Sequence, residues 1–149
     1  MANGRTDPVV GFMFGLEFGG ELKGLFKEAK GLTTEFELIT HKSVDAKGRE
    51  TLIQMPGRQK PQPNIELSRG FDGSTDLKEW MDKVLKGDIE GARKTGSVVV
   101  FNQSMSEVAR WNFEGAWPVK IDIQGLKADA NDIVNETVVL AVERMERAK

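Results

Sequence analysis

Residues 10–18 constrain the fold more than any other stretch. Val10, Phe12, Phe14, Leu16 and Phe18 are apolar and share one parity, while Gly11, Met13, Gly15 and Glu17 take the other. A period of two predicts a strand with one face buried in a sheet. Gly19 and Gly20 follow, and a glycine pair readily takes the positive φ angles of a tight hairpin turn. A second strand is expected from Glu21, with Gly24 and Gly31 interrupting its course past Leu25 and Phe26.

Residues 34–40 read as another strand, with Phe36 and Leu38 inward. The next stretch, 41–64, is different. It carries Lys42, Asp45, Lys47, Arg49, Glu50, Arg58 and Lys60, three prolines at 56, 61 and 63, and a short apolar patch at Leu52, Ile53 and Met55. A structureless loop beyond about 12–15 residues is uncommon in a compact domain. A long projecting arm is therefore expected over 42–62, as a hairpin with its tip near 45–48. A floppy surface loop is the plain alternative.

Residues 65–69 predict a short strand and the following segment a helix. Leu77, Trp80, Met81, Val84 and Leu85 recur at the spacing of one helical face. Asp76 stands where a cap belongs, Glu79 where its capping-box partner belongs, and Gly87 where a helix stops. This stripe reads as core packing, not as a cofactor site. After a polar link, strands are expected at 97–101 and 107–113 around a turn at 102–106, with Gly115 breaking regularity. A further strand spans 117–124, where Val119, Ile121 and Ile123 alternate with polar residues. Residues 133–142 end the pattern as a strand apolar at both parities, which is either central or covered by a partner chain. Strands joined by hairpins and short loops argue a mostly β chain, an antiparallel β-sandwich or barrel with one packed α-helix.

The 149 residues are enough for a single domain with its own core. Lys plus Arg number 21 and Asp plus Glu 23, for a net charge of −2, which excludes a strong electrostatic footprint for nucleic acid or anionic lipid. Cysteine is absent and histidine occurs once, so thiol chemistry, Cys-ligated zinc and a multi-histidine metal site are excluded from this chain. Apolar runs stay far below the ~20 residues of a membrane span, so no membrane insertion is expected. Residues 1–8 lack the apolar core of a signal peptide, so synthesis in a cytoplasm is expected.

The search for an active site returns little. His41 beside Ser43 has no nucleophile elbow and reads as an exposed histidine at a strand end. Glu35 and Glu37 share a strand face, as paired carboxylates of a hydrolase could, but read better as a solvated face. The 16 glycines fit turns and no phosphate-binding pattern, so no cofactor is expected. Arg110, Trp111 and Trp117 could stack on single-stranded nucleic acid, but a core or inter-subunit role suits an acidic chain better. These absences favour a binding or structural protein. The apolar first and last strands offer surface to other chains, and if each subunit's sheet edge pairs with its neighbour's, a closed ring satisfies all the edges.

The order of short motifs resembles the phage tail tube family shared with contractile injection systems. Arg5, Asp7 and Pro8 precede the Phe12–Phe14 strand. Phe26, Glu28, Gly31 and Leu32 follow, then Pro56-Gly57, then Asn64-Ile65, Leu67 and Arg69-Gly70. Leu77 and Trp80 lie on the helix, followed by Ala109-Arg110-Trp111 and Ala116-Trp117-Pro118 with Lys120. Asn131, Ile133 and Glu136-Thr137 close the series, and the charged tail 143–149 departs from it.

The resemblance implies a structural, non-enzymatic inner tube subunit. Such subunits form hexameric rings whose joined sheets line a lumen, stacked into a rigid hollow tube inside a contractile sheath. It implies a sheath protein, baseplate or spike and terminator proteins, and luminal cargo of effector protein or DNA as partners. It places the particle's origin in a bacterial cytoplasm. Within it, Asp45, Lys47, Arg49, Glu50 and Arg58 on the arm are expected to touch the next ring. The rivals are a secreted hexameric ring of the type VI kind and a monomeric carbohydrate-type binding barrel. The late, clustered tryptophans and the lack of tyrosine count against the barrel.

Overall fold

The computed structural model describes residues 12–126, 128 and 134–149. The chain divides into two compact units, Met1–Leu32 with Pro63–Lys149, and Thr33–Gln62. Among the described residues no helix is long and apolar enough to cross a membrane.

In the larger unit, β1 (Met13–Phe18) and β2 (Glu21–Phe26) form the expected hairpin through Gly19 and Gly20, at φ 59° and 80°. Leu16 is fully buried, and Phe14 and Phe18 pack against the core, while Phe12 is exposed. Val10 lies outside the described residues. Only Lys27 separates β2 from β3 (Glu28–Lys30), which pairs with β6 (Ile65–Gly70). The remaining strands are β7 (Lys94–Phe101), β8 (Glu107–Gln124), β9 (Asn135–Ala141) and β10 (Arg144–Arg147). The order is β2-β1-β7-β8-β9-β6-β3, antiparallel throughout, with β10 also on β8. The Lys27 N–H donates to the Ser68 carbonyl at 2.9 Å, so the two ends of the order meet there. This is the expected antiparallel sandwich or barrel.

β8 is one strand where two were expected. Gly115 does not end it. At φ 65° it marks the corner where β8 leaves β7, last paired at Lys94–Ala116, and joins β9 at Trp117–Ala141. The left-handed backbone there favours glycine, and a Cβ would also displace the Glu143 side chain. Val119 is 45% exposed, and the register shifts between Pro118 and Lys120. β9 is central, between β8 and β6, which explains its apolar character at both parities. It does not end the fold. The charged tail forms β10, whose Met145 is buried while Arg147 lies 5.5 Å from the Trp111 ring centre.

Among the described residues there are two helices, where one was expected. In α1 (Asp76–Leu85), Leu77 and Trp80 are buried and Met81 and Val84 half-buried. Leu85 is 77% exposed, against expectation. At 3.6 residues per turn it stands about 80° around from Leu77, at the flank of the stripe. Asp76 is the first helical residue and not the cap. Thr75 holds that position without a side-chain bond, and the Glu79 N–H donates to the Thr75 carbonyl. Asp76 and Glu79 act instead as first-turn charges that favour the helix dipole. Gly87, at φ 79°, does stop the helix, its N–H donating to the Val84 carbonyl. The polar link contains α2 (Ile89–Ala92), capped by Asp88, which accepts from the Gly91 N–H. The Trp80 indole N–H donates to the Ala92 carbonyl, and Phe18 meets Trp80 edge-on at 4.6 Å.

The smaller unit is a two-stranded ribbon, β4 (Phe36–Val44) and β5 (Glu50–Gln59). Its tip lies where expected. The Asp45 carboxylate accepts from the Lys47 and Arg49 N–H groups, and Gly48 has φ 79°. The ribbon begins earlier than the expected arm. Residues 36–40 are one leg of it, so Phe36 and Leu38 are 52% and 65% exposed instead of inward. A two-stranded ribbon has no second layer to cover either face.

Candidate assembly surfaces

The ribbon is the most unusual surface. Ile39 lies opposite Met55 and His41 opposite Ile53 on one face; Leu38 lies opposite Pro56 and Lys42 opposite Leu52 on the other. Phe36, Leu38, Ile39, Val44, Leu52, Ile53 and Met55 are all between 44% and 66% exposed. Exposed apolar clusters of this kind mark interaction surfaces, and an isolated hairpin is marginally stable in water. Its charges are arranged around that apolar strip. Asp45 is engaged by the turn and by Arg49 at 3.3 Å, while Lys47, Glu50 and Arg58 are exposed. Glu35 and Lys60 pair at 2.8 Å, and Glu35 holds the Lys60 ammonium above its usual range. Glu35 and Glu37 are both exposed, as the solvated-face reading expects. His41 is exposed too, but in mid-strand.

Arg110, Trp111 and Trp117 do not converge on a binding surface. Arg110 donates to Glu107 at 2.6 Å and to Glu17 at 2.9 Å, tying β8 to β1. That contact holds the Glu107 carboxyl below the usual carboxylate range. Trp111 and Trp117 are half-buried and pack against the core. No group of acidic or histidine side chains among the described residues is placed to hold a metal ion.

Two groupings were not joined by any pattern in the sequence. Arg69 and Glu136 face each other across β6 and β9, paired at 3.0 Å and only 7% and 4% exposed at their side chains. The Arg69 guanidinium also lies 5.1 Å from the Phe26 ring centre, and its Nε has no hydrogen-bond partner among the described residues. The second feature is a polar sheet face formed by β3, β6, β9 and the last part of β8. Lys27, Glu28, Lys30, Glu66, Lys120 and Asp122 all open onto it. Acids and bases are equal in number there, and the Lys27 ammonium donates to the Asn135 side-chain carbonyl.

Large apolar side chains exposed on the ribbon are a surface suited to assembly. Residues 10–146 match the family described as T4-like virus tail tube protein gp19, and the chain belongs to that family. It is a structural tube protein and not an enzyme. The chain is similar to a chain in the anti-feeding prophage cap, the tube terminating cap, with 25% identity, TM-score 0.70, and 100% of this chain and 95% of that chain covered. It is equally similar to a chain in the PVC sheath/tube terminator of an extracellular contractile injection system, with 25% identity, TM-score 0.70, and 99% and 100% covered. Hcp1 from Flavobacterium johnsoniae shares the fold at 21% identity and TM-score 0.50, with 91% and 94% covered. No curated protein sequence matches the chain.

Proposed function

We propose that this chain forms hexameric rings that stack into the hollow inner tube of a contractile injection particle or phage tail. The ribbon 33–62 bridges one ring to the next. The observation that carries stacking is its large apolar side chains, exposed on both faces. Each is about half exposed, so covering the rest of one contributes about half of the roughly 1.5–3 kcal/mol of full burial, and seven act together. A rim charge such as Lys47 or Glu50 contributes roughly 0–1 kcal/mol. The apolar strip therefore supplies the affinity, and Asp45, Lys47, Arg49, Glu50 and Arg58 supply register. The free polar sheet face suits a wetted lumen, with effector protein or DNA as cargo. A sheath outside, a baseplate or spike at one end and a terminator at the other complete the set of partners, as the sheath and terminator of the similar particles suggest. Assembly begins in a bacterial cytoplasm.

Deletion of Asp45–Gly48 tests the stacking role. The turn belongs to the smaller unit and supplies none of the buried core residues, so the deleted chain is expected to fold and to form single rings without tubes. Negative-stain images showing tubes of normal length would reject it.

A further inference from the structure

The polar sheet face carries a charge pattern that runs across four strands, from β3 to β8. Glu28 on β3 is in line with Ser68, Thr137 and finally Asp122 on β8. The next row runs from Lys30 through Glu66 and Val139 to Lys120. Both rows end in like charges at opposite edges, acid with acid and base with base. Among the described residues, no strand pairs with the outer edge of β3 or with the side of β8 beyond Ala116 that faces away from β9. Three antiparallel steps separate β8 from β3, so in a rotationally symmetric ring one copy's β3 lies antiparallel to its neighbour's β8.

Straight continuation of the rows would set Glu28 against Asp122 and Lys30 against Lys120. Like charges directly opposite are destabilising. A slip of one residue would turn the face over. A slip of two restores both parity and charge, and it has two directions. One sets Glu28 opposite Lys120 but Lys30 opposite Pro118, which has no N–H to donate and adjoins the register shift. The other sets Lys30 opposite Asp122 and Glu28 opposite Gln124, in the regular part of β8. Closing a sheet around an axis itself demands a stagger of this kind.

We propose that neighbouring copies join β3 to β8 in that second register, with Lys30 of one copy against Asp122 of the next. This inference rests on the ring reading above and specifies its seam. Both edges then continue one ladder, and opposite charges meet once per subunit around the ring.

The chain has no cysteine, so paired cysteines report the seam without background. Directly opposite Cβ atoms in an antiparallel pair stand about 4.5–5.5 Å apart, near disulfide range. Mild oxidation of the assembled double variant Lys30→Cys with Asp122→Cys is expected to give a ladder of covalent multimers. Glu28→Cys with Asp122→Cys, the in-line control, is expected to stay uncrosslinked. As a second readout, Lys30→Glu is expected to raise the half-assembly concentration about tenfold, and Lys30→Asp with Asp122→Lys to restore it. Crosslinking of the control pair, or of neither pair in assembled material, would overturn this register and leave the tube reading standing. An unsubstituted chain that never assembles would overturn both.

Discussion

Replacing Arg69 with methionine is expected to destabilise the protein by about 3–5 kcal/mol. The Glu136 carboxylate is 4% exposed at its side chain, and Arg69 is its only ion-pair partner among the described residues. Removing the guanidinium strands a charge that water cannot reach. The loss extends beyond the pair. Arg69 also stacks on Phe26, and a Cβ on Gly24 would sit 2.8 Å from its Nη1. One side chain thus packs β2, β6 and β9 together, close to where the two ends of the strand order meet. Replacing both partners, Arg69→Met with Glu136→Leu, is expected to recover most of the loss, because an apolar pair of similar volume avoids the desolvation of two ions. Urea denaturation of the single and double variants distinguishes these outcomes. A single variant within about 1 kcal/mol of the parent would show that Glu136 is hydrated instead.

Trp80→Ala is the other large effect, with an expected loss of about 3–5 kcal/mol. Trp80 is 6% exposed and receives the edge of Phe18, which in turn meets Phe113 at 6.0 Å. The truncation opens a cavity where α1 packs on the sheet. It also leaves the Ala92 carbonyl without the indole donor. Trp80→Phe weighs the two contributions differently, since it removes the donor but keeps an aromatic ring and most of the volume, an expected cost of about 1–3 kcal/mol. Thermal melts of the two variants should fall in that order, and equal melting temperatures would mean that the hydrogen bond carries the whole effect.

The first hairpin was legible in the sequence because a half-buried strand writes its own period and Gly19-Gly20 writes the turn. The tip of the ribbon was legible for the same kind of reason: Asp45 and Gly48 are turn residues whose chemistry is local. Burial was harder to read. Phe36 and Leu38 alternate as core residues do, yet they lie on a ribbon with no second layer. Leu85 continues the α1 stripe by one position and falls off its flank. β10 was hidden because Met145 is its one apolar residue among charged neighbours, and it pairs with β8 only through tertiary context. Gly115 could be seen as an interruption, but whether a glycine ends a strand or bends it depends on which partners lie on either side.

The assembly surfaces were legible only in outline. The charges on the arm could be named from the sequence, whereas the apolar strip beside them looked like a minor patch at Leu52, Ile53 and Met55. Arg69 and Glu136 stand 67 residues apart, so no local pattern joins them. The charge rows at the β3 and β8 edges emerge only once the register of four strands is known.

The central claim is that this chain is made to assemble with copies of itself into a tube. Negative-stain electron microscopy of the purified chain, with its mass followed by light scattering over a concentration series, tests that claim most directly. Hollow rings or tubes of uniform width, with a mass that rises in whole-ring steps, are the predicted result. A single-subunit mass at every concentration, with no rings in the images, would contradict the account.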